Sequence, residues 1–108
     1  MPSDKRNRLA KIEQALDTVN LRRLTPYFLK QIEADLSHIL EEINKAPNED
    51  IKDYKFATSK KAILANLWQA QDSLTIAIFE LETNDRTQRF YHNIRSCQIF
   101  LEKALAKW

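Results

Sequence analysis

The chain of 108 residues contains no glycine, where an average chain of this length carries roughly seven or eight. Glycine reaches positive φ without steric cost, so its absence removes the usual primed hairpin turns and glycine helix caps. Phosphate cradles of the P-loop and dinucleotide type are excluded as well, because each needs glycine where the backbone approaches a phosphate. The expectation is a set of helices joined by ordinary turns, without a nucleotide or other organic cofactor. A single domain spanning residues 1–108 is expected, with 44% apolar and 30% charged residues supplying one core and a wet surface.

Four apolar stripes follow helical spacing. The first is Leu9, Ile12, Leu16 and Val19, in a helix expected to begin at Ser3 or Asp4. Thr25 and Pro26 form a strong helix start, because threonine caps free amides and proline suits the first turn. The second stripe is Leu29, Ile32, Leu36, Ile39 and Ile43, stopped by Pro47 after about 21 residues or roughly 31 Å. Residues 47–57 form the one long connection, and a third helix starts between Asp53 and Ser59. An earlier start, at Asp50 or Asp53, is favoured, since Lys60 and Lys61 in the first turn would oppose the helix dipole.

The third stripe is Ile63, Leu67, Ala70, Leu74, Ala77 and Leu81. Asn84 or Asp85 is expected to open the fourth helix, with Gln88 as a capping-box partner of Asp85. Phe90, Ile94, Cys97, Leu101, Ala104 and Trp108 complete its stripe. The fold class predicted from these four stripes is all-α, an antiparallel up-down four-helix bundle.

Charge alternates along the chain. Residues 1–23 sum to +3, 24–50 to −4, 51–61 to +3, 62–82 to −3 and 83–108 to +3. Such blocks suit helices lying beside neighbours of opposite sign. The competing reading is a phosphate-binding surface made by Lys5, Arg6, Arg8, Lys11, Arg22 and Arg23, or by Lys52, Lys55, Lys60 and Lys61. No exposed aromatics interleave these clusters in the manner of a single-strand platform. Met1–Ala10 is polar and basic where a signal peptide needs an apolar segment, and Ala62–Phe79 carries too many polar residues for a membrane span. A cytoplasmic location without membrane attachment is the expectation. Cys97 stands alone, so neither an internal disulfide nor a cysteine metal cluster is expected.

Candidate chemistry is sparse. Asp35 and His38 have the i, i+3 spacing of half a di-metal site, but His38 falls opposite the apolar stripe and His92 has no carboxylate three residues before it. No metal site is expected. The segment 86–93 brings Arg86, Arg89 and His92 together at a helix start, residue types able to hold a phosphate and move a proton. Arg86 followed by His92 resembles the Arg, four to six residues, His motif of the HEPN family of helical RNA-cleaving domains. That resemblance, confined to this motif and departing from it at Thr87, implies a ribonuclease site formed across a dimer.

Ala62–Phe79 carries one charged residue, Asp72. Beyond the core stripe, Leu64, Trp68, Thr75 and Phe79 occupy a neighbouring face that Ile76 adjoins, so the third helix reads as buried nearly all round. A partner protein, foremost a second copy, explains that surplus. The preferred reading is a small, non-catalytic adaptor or regulatory module, homodimeric through this face, with no small-molecule substrate evident. An RNA-directed helical protein, either a binder or a HEPN-like nuclease, is the alternative.

Overall fold

The computed structural model describes residues 2–16, 24–45 and 54–107, with side chains for 5–16, 24–45 and 60–107. The described residues form four helices: α1 (Pro2–Ala15), α2 (Pro26–Lys45), α3 (Tyr54–Asn84) and α4 (Gln88–Lys107). Among the described residues there is no strand. The start of α1 falls just before the expected Ser3, with proline in the first turn as proline prefers. Helix α3 starts early in its expected window, which leaves Lys60 and Lys61 beyond the first turn. Val19, Trp108, Arg22, Arg23 and Lys52 lie outside the described residues, as does the side chain of Lys55.

Hydroxyl groups start two of the helices. Thr25 Oγ1 accepts the Phe28 N–H at 3.2 Å and opens α2, as the Thr-Pro pair requires. At α4 the sequence reading needs correction. Asn84 ends α3, Asp85 belongs to the turn, and the cap is Thr87, whose Oγ1 accepts the Phe90 N–H at 3.2 Å. Asp85 has φ 67°, and its N–H donates to the Leu81 carbonyl at 3.2 Å. This is the left-handed cap that usually falls to glycine. A chain without glycine assigns it to aspartate, one of the few other residues that visit this region.

Stripe residues with described side chains are buried in one core. Leu24, Leu40 and Ile78 join them from outside the predicted stripes. Each helix packs on two others, α1 with α2 and α4, α3 with α2 and α4, and the α3–α4 contact is the most extensive. Polar contacts between α2 and α3 form a ladder: Lys30 with Glu82 at 3.1 Å, Glu33 with Thr75, Ser37 with Gln71, and Asn44 with Lys60. Numbers rise on α2 as they fall on α3. Arg8 of α1 reaches Glu42 of α2 at 3.1 Å and Asp35 at 4.0 Å, joining a positive block to a negative one. Gln98 of α4 is buried, accepts from Arg95 at 3.0 Å and donates to Glu13 of α1 at 3.4 Å.

Glu80 is 8% exposed, and its carboxyl accepts the Thr87 hydroxyl at 2.8 Å. One hydroxyl thus caps α4 and satisfies a buried group of α3. Thr25→Val removes a cap alone and is expected to cost about 1 kcal/mol. Thr87→Val also strands Glu80 and is expected to cost about 2–4 kcal/mol. Urea unfolding of the two variants checks the ranking, and equal losses would show that the Glu80 contact contributes nothing.

Candidate functional site

The third-helix surplus is not enclosed, which corrects the expectation of burial nearly all round. Trp68 is 53% exposed, Ile76 47% and Phe79 67%. At 100° per residue, Phe79 lies about 20° and Ile76 about 80° from Trp68 around the helix, so the three share one open apolar face. Leu64 is half-buried and packs against the chain's own core. Thr75 is exposed, and its hydroxyl donates to the Glu33 carboxylate of α2.

Two more aromatic side chains, Tyr27 at 74% exposed and Phe28, open near the start of α2. They precede Lys30, which pairs with Glu82, so they stand at the same end of the α2–α3 pair as Phe79. Sequence reasoning passed over them. The available signal was their adjacency to Leu29: three consecutive helical residues spread over about 200°, so they cannot all face one core.

Arg86, Arg89 and His92 diverge in role. Arg86 donates from Nη2 to the Leu24 carbonyl at 3.3 Å and from Nη1 to Asp85 at 3.4 Å. Its guanidinium therefore ties the segment before α2 to the α3–α4 turn, across 62 positions of sequence. Arg89 and His92 lie on α4, exposed. His38 is exposed as expected, with Nε2 3.6 Å from Glu42 Oε1. Among the described residues no three His, Cys, Asp or Glu side chains converge as metal ligands.

The basic clusters divide in the same way. Arg8 is engaged with α2, and Lys60 donates to the Asn44 carbonyl at 3.5 Å. Lys5 is half-buried, while Arg6, Lys11 and Lys61 are exposed.

Cys97 is fully buried on α4, and burial pushes its thiol from 9.0 up to about 12. The thiolate, which is the reactive form, is thereby suppressed. No helix among the described residues is long and apolar enough to cross a membrane. Comparison with known proteins finds no matching family model, no matching curated protein and no matching solved structure.

Two outcomes follow. Arg86→Ala is expected to cost about 1–2 kcal/mol, because a charged donor to a partly buried carbonyl is lost. Arg89→Ala and His92→Ala should stay within about 0.5 kcal/mol. Denaturant titration of all three distinguishes a clasp from a surface charge. For Cys97, the unfolded thiol ionises near 9 while the folded one holds its proton to about 12. Its contribution is therefore full below pH 9 and is lost as pH rises towards 12. Stability measured against Cys97→Ala should show a constant difference below pH 9 that shifts in favour of the variant above it. A difference independent of pH would mean that the thiol ionises equally in both states.

Proposed function

We propose that this chain is a protein-interaction module without catalytic activity of its own, paired with a second copy through the open face of α3. We also infer an antiparallel up-down bundle, supported by the reversed numbering of the α2–α3 contacts, and a cytoplasmic location. The observation that carries the reading is the joint exposure of Trp68, Ile76 and Phe79 on one face. Large apolar side chains exposed together on one helix face, here interspersed with Asp72 and Thr75, support an association site, and the two-fold dimer is the commonest closed assembly.

Magnitudes set the strength of such a dimer. The three side chains leave on the order of 300 Å² of apolar area open on each copy. Covering both faces gains on the order of 15 kcal/mol at roughly 25 cal/mol per Å². Association costs roughly 4–15 kcal/mol in lost freedom and ordering. A concentration-dependent equilibrium is the result.

Antiparallel pairing of two α3 helices with Trp68 against the partner copy's aromatic end places the two-fold axis near Ser73. The two Asp72 carboxylates then fall within about one turn of each other. Like charges at that separation oppose pairing, so Asp72→Asn should tighten the dimer about two- to fivefold. Trp68→Asp should yield a folded monomer, since this side chain is already half exposed. Sedimentation across a concentration series with circular dichroism checks both. A wild type monomeric at high concentration, or a Trp68→Asp chain that is unfolded, overturns the dimer. Metal-independent RNA cleavage lost on Arg89→Ala or His92→Ala would replace this reading with the RNA-directed one.

A further inference from the structure

The three open side chains of α3 fall short of an interface by themselves. Covered on both copies they bury on the order of 600 Å², whereas a specific interface clears about 1,000 Å². Each copy must bring further surface, and the start of α2 supplies it. Tyr27 is 74% exposed, the most open of the large hydrophobic side chains described. Its ring adds on the order of 150 Å² per copy, and the surface it covers on a partner brings the pair to the required size.

Helical geometry separates Tyr27 from Phe28. At 100° per residue Tyr27 lies about 180° from Leu36, in the middle of the buried stripe, so it points straight out of the bundle. Lys30, which meets Glu82 of α3, stands about 60° round α2 from Tyr27, and Phe79 stands about 60° round α3 from Glu82. The two rings therefore flank one exposed seam between α2 and α3. Phe28 lies about 20° from Asp35, which Arg8 of α1 approaches, and so faces the other flank.

The ladder along that seam fixes what Tyr27 meets in a dimer. Residues 30, 33, 37 and 44 of α2 lie level with 82, 75, 71 and 60 of α3. A two-fold axis near Ser73 carries Tyr27 to the level of the last turns of the partner copy's α2. There Glu41 and Asn44, both exposed, face the open indole of Trp68 across a groove of about 310 Å³. Charge agrees with this alignment, because it sets Lys30 of one copy level with Glu41 of the other. Parallel pairing would instead oppose Lys30 to Lys30 and Glu41 to Glu41.

We propose that the Tyr27 ring of each copy seats in this groove of a second copy, against the face of Trp68 and with its hydroxyl donating to the Asn44 side chain. The seating rests on self-association through α3 and names the side chain that completes it.

The test is sedimentation of the full chain over a concentration series. Tyr27→Ser, at a position already open to solvent, should fold as the wild type does by circular dichroism and weaken the dimer more than about tenfold. Tyr27→Phe keeps the ring but loses the hydroxyl donor, and should weaken it about two- to tenfold. Reach across the two-fold axis is read separately. Under mild oxidation a mixture of Tyr27→Cys and Asn44→Cys chains should yield a disulfide-linked pair of the two. Neither variant alone should do so, since like positions stand far apart and Cys97 is buried.

A wild type that stays monomeric overturns the dimer and this seating together. A wild-type dimer that Tyr27→Ser leaves unchanged, or a mixture that fails to link, overturns the seating alone and leaves pairing through α3 standing.

Discussion

The Thr87 hydroxyl performs two tasks at once, and the rest of the fold depends on both. As acceptor it opens α4, and as donor it satisfies Glu80 inside α3. These helices make the most extensive contact of the fold, so the short turn between them sets how the core closes. Asp85 in the left-handed region makes that turn tight enough for Thr87 to arrive beside Glu80. Arg86, between the two, then extends a side chain to the backbone before α2. Three consecutive residues thus end one helix, anchor a distant segment and begin another.

The long third helix carries a second constraint. With α2 on one side and α4 on the other, it has core contacts over much of its circumference, and its stripe is buried from Ile63 to Leu81. What remains is an arc that neither neighbour covers, and the sequence places Trp68, Ile76 and Phe79 on it beside polar residues such as Asp72 and Thr75. Elsewhere, cross-helix ion pairs join neighbouring helices. Arg8 and Lys30 both reach acidic groups on neighbouring helices, in keeping with the alternation of charged blocks along the chain.

The helices were legible in the sequence because period and caps agreed. Thr25 with Pro26, followed by Leu29, Ile32 and Leu36, leaves one solution for α2, and the structure adopts it. The turn into α4 was misread because Asp85 and Gln88 offered a plausible capping box, whereas the missing glycine obliged Asp85 to close α3. The open face of α3 was identified by its residues but not by its exposure, since periodicity tells which side chains share a face and not whether a neighbour covers it. Glu80 and Gln98 were invisible for a related reason. Their burial depends on Thr87, Arg95 and Glu13, partners that only the packed chain assembles.

Cys97 gives the fold a built-in clock. Enclosed in the core, with its thiol held in the unreactive protonated form, it meets a reagent in solution only when α4 opens. Where reclosing outpaces modification, the reagent's intrinsic rate is scaled down by the equilibrium population of the open form, which reports the free energy of the opening. A lone thiol in the middle of α4 thus converts the cooperativity of the core into a number that can be read at one atom.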